Sequence, residues 1–237
     1  MQDLLDLVQF GPAGWGDEIA AGAWLTIRLA IATLPFGLAV GFLAALARNS
    51  QSRWLVGLGN LFTTVFRGLP ELLTLFIIYY GGQMLLQQVV GLVSDTHVEV
   101  SSFVAGFVAL GLVFSGYASE VFLGAFRNIG RGQYEAADAL GLRAVVTMRL
   151  VILPQLLRLA LPGLANLWLV LLKDTSLVSV IALNDLLRET QVAVGATKQP
   201  FFFYLIACLI YLALSIVSSF GIAGIERWSE RGYARAA

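Results

Sequence analysis

The sequence predicts an all-α bundle of about five membrane-spanning helices, and three observations carry that expectation. Of 237 residues, 58% are hydrophobic and 13% charged, with a mean hydropathy of +0.81. A water-soluble domain carries charge on about a quarter of its residues, so the surplus apolar side chains must face lipid or one another. The apolar runs are continuous and long, whereas a barrel strand alternates apolar and polar residues over about ten positions. A continuous run in lipid satisfies its backbone internally only as a helix. Basic residues, finally, gather in alternate connections.

Taken in order, the first run is Ile19 to Ala47, interrupted by Arg28 alone. The second extends from about Trp54 to Val93 and is broken at Arg67-Gly68-Leu69-Pro70-Glu71. The third is Val100 to Phe126, with Glu120 as its one charge. The fourth is Leu156 to about Leu183 and contains Arg158, Lys173 and Asp174; the fifth, Pro200 to Ile225, is uncharged. Arg48 and Arg53 follow the first run, Arg127, Arg131, Arg143, Arg149 and Arg158 the third, and Arg227, Arg231 and Arg235 the last. Asp3, Asp6, Asp17 and Glu18 precede the first run, and Asp95, His97 and Glu99 follow the second. The connection before the fifth is mixed, with Asp185, Arg188, Glu189 and Lys198. The positive-inside rule then places the N-terminus outside and the C-terminus in the cytoplasm. There is no internal repeat, so residues 1–237 read as a single membrane domain, and five helices are few enough that an oligomer is expected.

Other classes lose support. A formal net charge of zero argues against nucleic acid as a partner. Cys208 stands alone in an apolar run, so neither a disulfide nor a metal site follows from it. The acidic opening Met1 to Asp6 lacks the basic segment of a secretory signal. No glycine-rich phosphate loop is present, and the sole histidine, His97, lies in a connection and reads as solvated. The chain is therefore expected to be no enzyme, with no cofactor of its own.

The cytoplasmic segment after the third run is the most informative. Glu135 to Leu140 reads as a short helix with an acid in its first turn, where the helix dipole favours it. Ala136, Ala137 and Ala139 give it a thin surface that another protein can approach, and Gly141 suits the left-handed residue that ends a helix. A second helical stretch leads to Pro154. The alternatives are a docking element and a simple connector.

The stretch Glu135-Ala136-Ala137, three residues, Gly141, nine residues, Val151, one residue, Leu153-Pro154 resembles the EAA loop of bacterial ABC-importer permeases, with Val151 where the family usually has Ile. Three further blocks are similar to the polar amino acid permeases: Phe66 to Leu73, Gly116 to Glu120, and Leu172 to Ser179. Together they extend from about residue 20 to 230. The general run looks closest to permeases for basic amino acids or opines; Leu123-Gly124 departs from the Arg-Gly of many relatives, and no role is carried over there. The resemblance implies the type I importer permease fold and a coupling loop at about 127–157, with Glu135, Ala136, Ala137 and Gly141 as the ATPase contact core. It also implies two ATP-binding subunits that hold the ATP and Mg, a second permease subunit (the same chain or a related one), an extracytoplasmic solute-binding protein, and an inner-membrane location.

Charges inside spans cost a few kcal/mol each and call for a partner, a wet cavity or a ligand. Glu120 reads either as a carboxylate for a cationic substrate or as a structural group near the cytoplasmic headgroups. Arg67 and Glu71, four residues apart, read as a pair on one helical face beside a kink at Gly68 and Pro70, substrate-facing or self-neutralised. Tyr117 and Asn166 are further pathway candidates. Lys173 and Asp174 read as a self-neutralising pair at the outer end of the fourth run, either a gate or structural. Arg28 is expected to reach the outer interface or a partner subunit. A passive channel or secondary carrier, and a non-transporting scaffold or sensor, remain as other classes of function; neither needs the cytoplasmic loop.

Overall fold

A computed structural model describes residues 4, 6–12, 14–92 and 99–230. Asp3, Asp95, His97, Arg231 and Arg235, on which part of the orientation argument rests, lie outside these residues.

Helix α1 covers Gly16–Arg48, α2 Arg53–Gly68, α3 Glu71–Gly91 and α4 Ser102–Asn128. The short α5, Arg131–Ala139, precedes α6, Ala144–Thr147, which runs through a π-helical turn at Met148–Ile152 into α7, Leu153–Asp174. A 3-10 segment, Thr175–Ile181, then leads to α8, Leu186–Thr197, and α9, Pro200–Glu230. Among the described residues, five helical stretches are long and apolar enough to cross a membrane: Gly16–Arg48, Glu71–Gly91, Ser102–Asn128, Ala144–Ile181 and Pro200–Arg227. The second apolar run is thus two helices, because Leu69 and Pro70 are extended (ψ 141° and 132°) and Pro70 has no N–H for a continuing ladder.

Helix α4 is the centre. In its most apolar stretch 61% of residues are buried, against 11% in α3 and in α9, whose large apolar side chains therefore face lipid or another subunit. Lipid gives no hydrophobic drive for helix association, so close backbone approach must supply the attraction. Thr33, Gly37, Gly41 and Ala45 form one buried face of α1 at spacings of four. A Cβ at Gly41 would lie 2.8 Å from Cβ of Ala118 and 2.9 Å from the Ser115 carbonyl oxygen. Gly111 of α4 answers with a seat for the Phe36 ring, which lies tilted against Phe107 with centroids 4.9 Å apart.

Helix α8 was not foreseen in the connection before the last span. Its own spacing explains it: Leu186, Thr190 and Ala193 are buried on one face, and Ile19 and Phe203 complete a small second core. Asp185 caps it by accepting the Arg188 N–H at 3.0 Å, while the Leu186 N–H goes to the Thr26 hydroxyl at 3.2 Å. Asp185 is wholly buried, its second oxygen Oδ2 is unpaired, and burial above all pushes its carboxyl up to about 6 against the pull of backbone hydrogen bonds.

Candidate functional site

The connection between α4 and α7 is built as a compact knob. Gly130 is extended (ψ 140°) and opens α5 at Arg131, four residues earlier than expected. Glu135 therefore sits in mid-helix, and the first turn holds no acid, which corrects the capping argument made from sequence. The far end agrees with expectation. Gly141 has φ +70°, its N–H donates to the Asp138 carbonyl at 2.9 Å and the Leu142 N–H donates to the Ala137 carbonyl at 3.1 Å. That pair of bonds is the Schellman stop, which needs a left-handed residue at Gly141's place. The Gln155 amide donates to the Gln133 side-chain oxygen at 3.1 Å and to the Val151 carbonyl at 2.8 Å, fastening α5 to the base of α7.

Glu135, Ala136 and Gly141 are exposed on this knob, but Ala137 is only 2% exposed and packs inward, so it supports the surface instead of forming it. Two side chains escaped the sequence reading. Leu140 is 77% and Val145 78% exposed, flanking the stop at Gly141 with apolar surface amid arginines. Their signal was available: apolar residues at the turn of a polar connection have no helical face to bury them on.

The charges in the spans pair differently from the sequence expectation. Arg67 turns from Glu71 to α4, donating from Nη1 to Glu120 Oε1 at 2.5 Å, with its guanidinium 5.6 Å from the Tyr117 ring centroid. The extended Leu69–Pro70 removes the helical register that an i, i+4 pair requires. Arg48, at the end of α1, places Nη2 3.0 Å from the same Glu120 oxygen. Glu120 is thus held by two guanidinia from two other helices.

Lys173 and Asp174 form no ion pair; consecutive helical residues point about 100° apart, and Lys173 is exposed while Asp174 turns inward. Asp174 lines a cavity together with Glu71, Tyr117, Phe114 and Leu171. This cavity measures about 20 Å³, room for one water and not for an amino acid. Asn166 is exposed on α7 and does not join it; Arg28 is exposed on α1 beside Trp24 and Ile31. Among the described residues no cluster of three or more His, Cys, Asp or Glu side chains could hold a metal ion.

Residues 13–231 match the family described as "Binding-protein-dependent transport system inner membrane component". The chain is 43% identical over 230 residues to the nopaline transport system permease protein NocQ of Agrobacterium fabrum, covering 96% of this chain and 98% of that one. It is 35% identical over 223 residues to the histidine/lysine/arginine/ornithine transport system permease protein HisQ of Salmonella typhimurium, covering 94% and 98%. A crystal structure of an amino acid ABC transporter with histidines has a chain that superposes with a TM-score of 0.79 at 29% identity, over 96% of this chain and 99% of that one.

Proposed function

Because the chain belongs to the family of inner-membrane components of binding-protein-dependent transport systems, matched from residue 13 to 231, we propose that it is the permease subunit of an ATP-driven amino acid importer. It forms half of the pathway for a polar, cationic amino acid or an opine, beside a second permease subunit of the same or a related kind. Two ATP-binding subunits, which hold the ATP and Mg and do the hydrolysis, dock on the knob at Glu135, Ala136, Leu140, Gly141 and Val145. A solute-binding protein delivers substrate from outside the inner membrane, the N-terminus lying on that side and the C-terminus in the cytoplasm.

The observation that carries the reading is the knob itself. A nine-residue helix stopped by a Schellman turn and hydrogen-bonded to α7 transmits a push at its surface to two spans, α4 before it and α7 after it. The carboxyls of Glu71 and Asp174, which line one cavity, support a cationic substrate, since two acids in one site favour a cation there. The cavity between them is shut to an amino acid here, so alternate access requires the break at Leu69–Pro70 and the end of α7 to part.

The test is co-expression with candidate ATP-binding and permease partners, purification in mild detergent, mass spectrometry of the complex, and uptake of labelled arginine into liposomes carrying a solute-binding protein. Co-purification with an ATPase and uptake that needs ATP support the reading. Recovery of the chain alone, moving arginine without ATP, would replace it with a passive channel or carrier.

A further inference from the structure

Glu120 is the only acid in α4, which invites a role in touching substrate, yet its surroundings assign it another. Glu120 Oε1 accepts a hydrogen bond from Arg67 at 2.5 Å and forms an ion pair with Arg48 Nη2 at 3.0 Å. Arg48 also donates from Nε to the Asn60 side-chain oxygen at 2.9 Å and from Nη1 to the Ser119 hydroxyl at 3.4 Å, and its side chain is 12% exposed. Helices α1, α2 and α4 are thereby joined at one carboxylate. Room has been made for the stems: a Cβ at Gly59 would lie 2.6 Å from Arg48 Cγ, and one at Gly116 3.2 Å from Arg67 Cγ.

The charges balance without a ligand. Arg48 and Arg67 stand in the last turns of α1 and α2, where each helix presents about half a negative charge. Those two half charges and the Glu120 carboxylate offset the two guanidinia. Both guanidinia meet Glu120 at Oε1, so its charge is already neutralised inside the protein before any substrate arrives. What Glu120 does hold is a position. Arg67 is two residues from the end of α2's break at Leu69, and Glu71 opens α3 directly beyond it, lining one cavity with Asp174. Tyr117, against which Arg67 rests, lines that same cavity. On the other side α4 ends at Asn128 and leads through Gly130 into the knob.

We propose that Arg48, Glu120 and Arg67 form a charge clamp by which α4 sets the position of the helix break and of Glu71, so that Glu120 and Arg48 are positioning residues and not substrate ligands. The clamp rests on the importer reading above, because it acts on that reading's cavity. It predicts a rescue that direct contact does not. Glu120→Gln leaves Arg48 and Arg67 adjacent with no anion between them, and the end of α2 is pushed away from α4. Glu120→Gln/Arg48→Gln removes one charge of each sign and leaves Arg67 alone beside neutral acceptors.

The experiment is arginine uptake by the full complex in liposomes, comparing wild type, Glu120→Gln, Arg48→Gln, the double variant and Glu120→Asp. Glu120→Gln should raise KM for arginine roughly tenfold, the size of coupling expected for groups in one charge network. The double variant should return to within about threefold of wild type, and Glu120→Asp should lie near wild type. A double variant as impaired as Glu120→Gln, or a Glu120→Gln protein with unchanged kinetics, overturns the clamp. If Glu120→Gln does not assemble with its partners, assembly becomes the readout, and a double variant that also fails to assemble overturns it equally. Failure of the importer reading is seen separately, as wild-type uptake that ignores ATP.

Discussion

Asp185 offers the sharpest physical test of the packing between α1, α8 and α9. Its carboxyl is wholly buried at the start of α8, and burial raises it from an ordinary 3.8 to about 6. A raised acid binds its proton in the folded state at pH values where the unfolded chain has released it. Its contribution to stability is therefore fully present below about 3.8 and is lost as pH rises through about 6. A difference of about two units corresponds to about 3 kcal/mol. Asp185→Asn keeps the shape and the capping oxygen, since Asn and Asp cap helices equally well, and removes the titration. The variant should melt at the wild-type temperature at pH 4, and about 5–10 °C above it at pH 7.5, given roughly 2–4 °C per kcal/mol at this chain length. The assay is thermal unfolding in detergent across that range, read as the difference between the two proteins so that other titrations cancel. Melting curves that fall in parallel with pH, or a variant that is the less stable one at pH 7.5, would refute the argument.

Three more expectations are open to direct measurement. Gly141→Val forces a branched side chain into φ +70°, a cost of about 1–2 kcal/mol, and should weaken capture of the ATPase; Gly141→Asn, whose residue tolerates that conformation, should bind nearly as wild type in the same pull-down. Leu140→Asp and Val145→Asp change side chains exposed by more than three quarters, so the bundle should insert and purify normally while co-purification with the ATPase is lost. Gly41→Val drives a methyl against the Ser115 carbonyl and Ala118 and should lower thermal stability by about 2–3 kcal/mol, whereas Gly57→Ala, with nothing within 4 Å, should raise it by up to about 1 kcal/mol through helix propensity.

The number of spans and the place of the break were legible because hydrophobicity over a bilayer's thickness and a proline without an N–H are local facts. The stop at Gly141 was legible for the same reason: a glycine after an alanine-rich helix is a local signal, and its two hydrogen bonds close within five residues. The start of α5 was missed by four residues because nothing in Gly130-Arg131-Gly132 caps by side chain. Helix α8 was missed because the core it packs into is completed by Ile19, more than 160 residues earlier, and by Phe203 beyond the next turn.

The intramembrane charges were harder for a physical reason. A charge in lipid must find a partner somewhere, but sequence proximity nominates only i, i+3 or i, i+4 neighbours on an unbroken helix. Arg67 and Glu71 satisfied the spacing and not the continuity, and Lys173 and Asp174 satisfied neither once placed on a helix. Each turned to another helix: Arg67 took Glu120, 53 residues away, and Asp174 came to line one cavity with Glu71. Both exchanges follow from one event, the extended turn at Leu69–Pro70. It releases the end of α2 toward α4 and the start of α3 toward α7, so the residue that breaks the second span also sorts its two charges, the basic one to the clamp and the acidic one to the cavity.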